Sequence, residues 1–236
     1  MEIPMLLEEA SCPRKTEVII AALNEEEGIG LTITELLRNL NARIVVVDGH
    51  SRDRTVEVAK DLGADVHFQD GRGKGNAIAN ALKHLDPDVD YVVLTDADYT
   101  YPAEYLPEMI SILDENPNVG MVCGNRFGEK LDNKALRSRF YLGNRLLAFA
   151  HGFLNGVPLE DPLTGLRVIR ADIIRGWAAK SNGFDIEVEL NALIERSGFE
   201  MIETPILYRE RLGKKKLQVK HGITILRRIV REAFAS

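Results

Sequence analysis

Apolar strand-like runs alternate with amphipathic segments through the first half of the chain, and this alternation limits its folds more than any other feature. The predicted strands are residues 16–22, 43–48, 64–68, 91–95 and 119–123. Helical spacing of apolar residues predicts helices at residues 26–40, 53–62, 74–85 and 102–114. Because the Val- and Ile-rich runs are apolar throughout, both faces of each strand are expected to be covered. The pattern predicts an α/β fold, a mostly parallel twisted sheet flanked by helices.

The regular alternation stops near residue 125, where longer helical segments begin. Helices are predicted at residues 136–154, 186–196 and 219–235, and strands at residues 166–169 and 201–208. The sequence shows no internal repeat and no low-complexity linker. We therefore expect residues 1–236 to form a single domain with a helical elaboration in its C-terminal part.

Length and composition exclude several classes of protein. The chain has 236 residues, of which 45% are hydrophobic and 28% charged, close to the average for soluble globular proteins. No apolar stretch approaches the roughly 20 residues of a membrane-spanning helix, and the first residues lack the pattern of a secretory signal. Cys12 and Cys123 have no metal-ligand spacing and suggest a reducing compartment. These features predict a cytoplasmic protein.

Positive charge is concentrated at the C-terminal end of an otherwise acidic chain. The net charge is −6, yet residues 201–236 contain nine Lys and Arg against three Glu. A phosphate-rich ligand or a membrane surface is expected to contact this end, and no nucleic acid is expected. In residues 219–235, apolar and basic side chains recur at helical spacing, as in helices that lie peripherally on the cytoplasmic face of a membrane. The same helix could instead pack on the sheet or on a second subunit, so a homo-oligomer stays open.

Polar clusters follow the predicted strands, and the acid pair Asp96 and Asp98 is the sharpest of them. In open α/β sheets, ligands bind beyond the carboxyl ends of the strands. Two carboxylates one residue apart at such a place supply oxygen ligands for Mg²⁺ or Mn²⁺. The cation would bridge the phosphates of a nucleotide diphosphate and neutralise charge on the leaving group. An acid-rich helix cap before Pro102 is the structural alternative.

Other strand ends supply groups for a base, a ribose or phosphate. The carboxylate of Asp48 would accept hydrogen bonds from a base or a ribose, while Ser51 or Asp53 beside it would cap the next helix. The loop at residues 70–76 lacks the P-loop pattern, so we expect it to close over a ligand with Lys74 near phosphate. The second half contributes cations that suit bidentate binding of phosphate oxygens, among them Arg126, Arg167 and Arg211.

Eight short motifs follow one another along the chain. They are AALNE at 21–25, VDGHS at 47–51, GKG at 73–75, DAD at 96–98, GNRF at 124–127, DPLTGLR at 161–167, GFDIE at 183–187 and RLGKKKL at 211–217. In this order they resemble the motifs of the family-2 glycosyltransferases, and within that family the chain looks most like the polyprenyl-phosphate or dolichyl-phosphate sugar synthases. The resemblance spans about residues 16–222 and implies a GT-A fold.

The resemblance implies inverting transfer of one sugar from a nucleotide-diphosphate sugar to a polyprenyl or dolichyl phosphate. Residues 16–125 would bind the nucleotide sugar, and residues 126–236 would bind the acceptor. The implied donor-binding residues are Ala21, Leu23, Asn24, Glu25, Asp48, Lys74, Asp96 and Ala97. The implied metal ligands for Mg²⁺ or Mn²⁺ are Asp96 and Asp98, which together with Asp161 form the implied catalytic set. The implied acceptor- or phosphate-binding residues are Arg126, Arg167, Arg211 and Lys216.

Two departures from the family pattern leave the donor open, and two other functions compete with the one implied. Ala21 replaces a proline and Gly49 replaces an aspartate of the family motifs, so a UDP-sugar is favoured only slightly over GDP-mannose. A family-2 enzyme acting on a soluble hydroxyl compound or a polysaccharide would need a base, for which Glu160 or Asp161 is the candidate. A non-catalytic nucleotide-sugar-binding scaffold is the third hypothesis, which the intact acid pair disfavours.

Overall fold

The structure, a computed structural model, describes residues 14–128, 139–156 and 159–235. Within these ranges the strands are β1 (Thr16–Ala22), β2 (Ala42–Asp48), β3 (Asp65–Phe68), β4 (Tyr91–Asp96), β5 (Val119–Asn125), β6 (Arg167–Arg170) and β7 (Glu200–Pro205). The α-helices are α1 (Ile29–Asn39), α2 (Thr55–Asp61), α3 (Lys74–Leu82), α4 (Leu106–Glu115), α5 (Arg139–Asn155), α6 (Ala171–Ile174), α7 (Ile186–Arg196) and α8 (Val219–Ala233).

The strands form one mixed sheet in the order β3-β2-β1-β4-β6-β5-β7. β1 pairs in parallel with β2 and β4, so that Ile19 lies opposite Val45 on one side and Leu94 on the other. β6 runs antiparallel to both β4 and β5, whereas β5 and β7 are parallel. The predicted mostly parallel sheet with flanking helices is confirmed. The sequence analysis does not predict the antiparallel direction of β6, because an apolar run does not show in which direction its strand will lie in the sheet.

Alternate side chains of β1 enter two separate apolar cores, one on each face of the sheet. On one face, Val18 and Ile20 join a buried cluster that includes Ile33 of α1 and Met109 of α4. On the other face, Ile19 is buried with side chains of α3 and α7. The two covered faces explain why the central strands are apolar throughout rather than alternating with polar residues.

Some element boundaries differ from the predictions for local reasons. α1 begins at Ile29 rather than residue 26, because a turn closed on the carbonyl oxygen of Glu25 precedes it. A 3-10 turn follows Pro102, so α4 begins only at Leu106. β7 ends at Pro205 rather than residue 208; proline has no N–H to donate to a strand ladder. The first residues of the predicted helix 136–154, residues 136–138, lie outside the described residues.

Helices α5, α7 and α8 pack together beside the sheet and form the predicted C-terminal elaboration. Ile225 and Ile229 of α8 are buried together with Val188 of α7. Leu147 and other half-buried side chains of α5 pack against this small cluster. The contact joins the last helix of the described chain to the helix that precedes β7.

A buried cluster of ion pairs sets the rotation of α8 about its own axis. The guanidinium of Arg228 is buried and lies 3.0 Å from Asp185, 3.2 Å from Glu232 and 3.7 Å from Glu189. Separating a buried cation from its carboxylates is strongly destabilising. This face of α8 therefore stays turned towards α7, and the opposite face is exposed.

His151 of α5 is buried, and its burial makes the stability depend on pH. Burial, helped by the positive charge of Arg167, lowers the pKa of His151 to about 4. The unfolded chain keeps the ordinary pKa of 6.5 and therefore binds the proton more tightly than the folded protein does. The stability that neutral His151 contributes is thus fully present above pH 6.5 and is lost as the pH falls towards 4. Between pH 7 and pH 4 we expect the wild-type protein to lose about 3 kcal/mol more unfolding free energy than His151→Gln. Urea titrations at both pH values measure this difference, and equal losses would contradict it.

Candidate active site

A cavity of about 500 Å³ opens at the carboxyl ends of β1, β2 and β4. The residues that end or follow these strands line it, among them Leu23, Gly49, Asp96 and Asp98. The start of α3, side chains of α5 and α8, and the segment after β7 form the rest of its wall. Its cationic lining residues are Lys74, Arg126, Arg211, Lys215 and Lys216. This is the edge of the sheet at which the sequence predicts a ligand site.

Asp96 and Asp98 line the cavity, and each is paired with a cation. The carboxylate of Asp96 lies 2.7 Å from the ammonium of Lys74. Asp98 is buried, accepts hydrogen bonds from the N–H and the hydroxyl of Thr100, and lies 2.5 Å from Nη1 of Arg211. Burial, and the negative charge of Asp96, raise the pKa of Asp98. An acid pair of this kind is stabilised by any cation placed beside it.

Lys74 connects Asp96 to Glu187, a residue that the sequence analysis does not assign to the site. The ammonium of Lys74 lies 2.7 Å from each of these carboxylates. Burial disfavours the ammonium, but the two carboxylates outweigh this effect and raise the pKa of Lys74. Oε2 of Glu187 is buried with no hydrogen-bond partner among the described residues. A negative charge in the first turn of α7, among residues that are otherwise buried, is the signal that could have identified it.

The segment after β7 brings two cations to Glu25. Arg211 contacts Glu25 through Nη2 while its Nη1 contacts Asp98. Nζ of Lys216 lies 2.6 Å from Glu25 and 2.8 Å from the carbonyl oxygen of Asn24. Burial raises the pKa of Glu25 despite these cations. Within the described ranges, Oε2 of Glu25 and Nε of Arg211 are buried and unpaired, so each keeps a free hydrogen-bonding position beside the cavity.

The other predicted donor-binding residues differ in their access to the cavity. Those that line it are Ala21, Leu23 and Ala97. Asp48 is fully buried, and both of its carboxylate oxygens accept hydrogen bonds from Ser51. The side-chain oxygen of Asn24 accepts a hydrogen bond from the N–H of Arg52. Asp48, which is buried, and Asn24, which is exposed, do not line the cavity but hold the turn that follows β2.

Asp161, predicted to be catalytic, is buried in a bidentate ion pair with Arg126. Its oxygens lie 2.6 Å from Nε and 2.7 Å from Nη2 of the guanidinium. Burial disfavours the Arg126 cation, yet Asp161 holds the pKa of Arg126 well above its usual value. Arg126 lines the cavity beside the ring of Tyr208, 5.4 Å from its centroid. Asp161 itself does not line the cavity, so it orients Arg126 and is not placed to act as a base.

Arg167, predicted to bind phosphate, lies in the core instead. Its side chain is 1% exposed, and its guanidinium donates to the carbonyl oxygens of Pro162 and Thr164 and to Oδ1 of Asn191. Since Asn191 belongs to α7, the side chain points to the helix layer on one face of the sheet and not to the strand ends. The sequence pattern places an arginine after a turn but does not show the direction of its side chain.

The start of α3 lies so close to the loop before α7 that side chains are excluded between them. A Cβ on Gly73, whose φ is +93°, would overlap the carbonyl oxygen of Asn182. A Cβ on Gly75 would overlap the carbonyl oxygen of Ser181. This backbone contact fixes the first turn of α3 and therefore the position of Lys74.

The acid pair fits a divalent cation that the protein coordinates only in part. The described residues contain no group of three or more His, Cys, Asp or Glu side chains with the arrangement of a metal site. Two carboxylates leave coordination positions for diphosphate oxygens and water, as Mg²⁺ commonly requires. Burial and the negative charge of Asp96 disfavour the ionised form of Asp98, as its raised pKa shows, and a cation beside the acid pair would offset this. The donor set therefore suits Mg²⁺ or Mn²⁺.

The mostly parallel sheet, the acid pair at the end of β4 and the cation-lined cavity agree with a glycosyltransferase of the GT-A fold. The chain belongs to glycosyl transferase family 2, since the model of the family described as "Glycosyl transferase family 2" matches residues 17–177. The protein is therefore a glycosyltransferase.

Curated relatives agree with this assignment, and a solved structure agrees with the fold. The chain is 35% identical over 204 residues to a dolichyl-phosphate hexose transferase of Haloferax volcanii, covering 85% of each chain. It is 27% identical over 228 residues to a dolichol-phosphate mannosyltransferase of Pyrococcus furiosus, covering 92% of this chain but 63% of that enzyme. Glucosyl-3-phosphoglycerate synthase from Mycobacterium tuberculosis, solved with UDP, has the same fold at 20% identity and a TM-score of 0.74, over 94% of this chain and 80% of that one.

Proposed function

We propose that this enzyme transfers a hexose from a nucleotide-diphosphate sugar to a polyprenyl or dolichyl phosphate, with a divalent cation at Asp96 and Asp98. The observation that carries the proposal is the cavity itself. It combines an acid pair suited to a cation and diphosphate with Lys74, Arg126 and Arg211, which suit phosphate oxygens. The names of the relatives from Haloferax volcanii and Pyrococcus furiosus support a polyprenyl phosphate as acceptor.

The structure supports a mechanism that needs no strong base. A phosphate acceptor is already an oxyanion near neutral pH, so the protein has to position it for attack and stabilise the leaving diphosphate. Asp96 and Asp98 would hold the divalent cation, which when bound neutralises charge on the leaving group. Lys74 and Arg211 would add positive charge there, and Arg126, oriented by Asp161, would face phosphate. In-line attack at the anomeric carbon would invert its configuration.

The donor and the place of action are further parts of this proposal. A UDP-sugar is slightly favoured over GDP-mannose, and the binding of UDP and Mn²⁺ by the Mycobacterium tuberculosis enzyme of the same fold agrees with that preference. No helix in the described part of the chain combines the length and the apolar character that crossing a bilayer requires. We place the enzyme peripherally on the cytoplasmic face of a membrane, where a lipid-linked phosphate and a nucleotide sugar would meet.

The competing functions have less support from the geometry. Transfer to a soluble hydroxyl compound or a polysaccharide would need a base in the cavity. Asp161 is bound to Arg126, and Glu160 accepts a hydrogen bond from Asn125 without lining the cavity. A non-catalytic scaffold would have no use for the acid pair and its surrounding cations.

A transfer assay with radiolabelled donors tests the proposal. UDP-glucose, UDP-N-acetylglucosamine and GDP-mannose are each incubated with a polyprenyl phosphate and Mn²⁺ or Mg²⁺. We expect label from one preferred donor in the organic phase and none in the presence of EDTA. Donor hydrolysis without labelled lipid would move the assignment to a soluble acceptor, while the glycosyltransferase class would stand.

Arg211 makes the binding of a divalent cation testable without turnover. Its guanidinium contacts Asp98, so it competes with a metal ion for that carboxylate. Because a competing contact reduces the fraction of binding-competent protein, Arg211→Met is expected to tighten Mn²⁺ binding about fivefold in the absence of donor. Sugar transfer by the same variant should fall, since the cation near the leaving diphosphate is lost.

Titration calorimetry with Mn²⁺ measures the first effect, and Arg209→Met is the matched control. Arg209 pairs with Glu35 and stacks on Tyr99, and it does not line the cavity. Unchanged or weaker Mn²⁺ binding by Arg211→Met would show that the guanidinium does not compete for Asp98.

A further inference from the structure

α5 exposes a row of large apolar side chains along one face. Leu142, Leu146, Phe149 and Phe153 recur at helical spacing and are 60% to 79% exposed. The rings of Phe149 and Phe153 stack with their centroids 6.2 Å apart. A helix of a soluble protein normally turns such a stripe towards the core. Here Leu147 of the same helix occupies the core side, so the exposed row is a second apolar face.

α8 exposes a similar face beside it. The side chains are Ile223, Leu226, Val230 and Phe234, all more than 40% exposed. Their exposure does not come from a loosely attached helix, because the buried Arg228 cluster fixes the rotation of α8. α5 packs on α8 through the small buried cluster described above. We call these two outer faces together the helix-pair surface.

The charge of the helix-pair surface is positive, although the whole chain is acidic. α5 contains no Asp or Glu, and the one acid of α8, Glu232, is paired with Arg196 and Arg228. Exposed cations accompany the apolar side chains, and they are Arg145, Lys220, Arg227 and Arg231. Apolar side chains flanked by cations match the interface of an anionic bilayer. Two copies joined through a twofold axis would bring these cations face to face.

The helices of this surface also form part of the cavity wall. Asn144 of α5 and Ile225 of α8 line the cavity, on the sides of the helices that differ from the exposed rows. A bilayer lying against the outer faces would therefore adjoin the cavity without filling it. An acceptor whose phosphate is attached to a lipid needs this proximity.

We infer that the helix-pair surface docks on the surface of an anionic lipid bilayer, with both helices lying along it. The inference rests on the proposed function for its purpose, which is access to a lipid-linked acceptor. The binding itself is a separate property of the two helices and is measured without any sugar donor.

Vesicle sedimentation tests the inference with the full chain. The vesicles are phosphatidylcholine alone, or phosphatidylcholine with phosphatidylglycerol. Wild-type protein should bind the anionic vesicles, and Phe149→Ser combined with Phe153→Ser should weaken binding about tenfold or more. Arg227→Glu combined with Arg231→Glu should weaken binding to the anionic vesicles by a similar factor, roughly one decade, and leave binding to the neutral vesicles nearly unchanged.

Leu31→Ser combined with Leu37→Ser is the matched control, since both leucines are exposed on α1, outside the helix-pair surface. This variant should bind vesicles as the wild type does, and the midpoint of urea unfolding of every variant reports that it is folded. Failure of the wild type to bind anionic vesicles would overturn the inference. So would a wild-type dimer in sedimentation velocity that the phenylalanine variant dissociates while its vesicle binding is unchanged.

The two proposals fail in different ways. Vesicle binding without sugar transfer to any polyprenyl phosphate would remove the proposed acceptor and leave the docking surface intact. Transfer to a short, water-soluble polyprenyl phosphate by a protein that binds no vesicles would remove the docking surface and leave the proposed acceptor intact.

Discussion

Asp98→Asn is expected to lower kcat/KM for sugar transfer roughly a hundredfold to a thousandfold, the loss typical of removing one group that stabilises developing charge. Asp98 is one of two carboxylates suited to the divalent cation, and an amide oxygen is a much weaker ligand for it. The fold should survive, because an asparagine oxygen can still accept the hydrogen bonds of Thr100. Burial and repulsion by Asp96 already disfavour the charge of Asp98, so unfolding free energy should change by only about 1 kcal/mol.

Transfer rates at saturating and limiting donor, Mn²⁺ titration and urea unfolding together measure these effects. Asp61→Asn, which removes a carboxylate from the exposed side of α2, should match the wild type in all three. Near-normal transfer by Asp98→Asn, or wild-type transfer that EDTA does not reduce, would exclude the metal role of the acid pair.

Arg167→Met should have the largest effect on stability, a loss of about 3 to 5 kcal/mol of unfolding free energy. Methionine fills much of the same volume but donates no hydrogen bonds. The carbonyl oxygens of Pro162 and Thr164 and the side chain of Asn191 would then lose the guanidinium in a buried environment. The midpoint of urea unfolding measures the loss.

Arg211→Met is the comparison that separates a core arginine from a cavity arginine. It should lose less stability than Arg167→Met, because the Arg211 side chain is 23% exposed and Lys216 still pairs with Glu25, while Mn²⁺ binding and transfer change. If Arg167→Met instead kept wild-type stability and raised only the KM of the acceptor, Arg167 would be a phosphate ligand, as the sequence pattern predicts.

The hydrophobic pattern predicts most of the fold because the central strands are buried on both faces. Apolar runs as short as residues 43–48 and 91–95 are typical of buried strands. The observed β2 and β4 each extend the predicted strand by only one residue at one end. The direction of β6 could not be predicted in this way. Its pairing with β4 and β5 depends on a connection after residue 125 whose path the local sequence does not determine.

The strand ends predict which residues come together but not where each side chain points. Asp96, Asp98 and Lys74 meet at one edge because the carboxyl ends of parallel strands coincide there. The motif at residues 161–167 predicts Asp161 and Arg167 at that edge too. In the structure, however, the carboxylate of Asp161 is buried against Arg126, and the guanidinium of Arg167 lies in the core. Glu187 is the opposite case, since the sequence analysis does not assign it to the site. Its contact with Lys74 joins residues more than one hundred positions apart in the chain. The motif at residues 183–187 contains Glu187, but nothing in the motif shows that Lys74 is the partner of its carboxylate.

The backbone contact at the start of α3 has a consequence for the evolution and engineering of donor choice. Positions 73 and 75 tolerate only glycine, because any side chain there collides with main chain from the loop before α7. Gly49, which also lines the cavity, differs from them: a Cβ there would meet its neighbours at 3.4 Å, an ordinary contact. Libraries that reshape the cavity lining therefore have room at Gly49 and Leu23, whereas Gly73 and Gly75 beside Lys74 leave none.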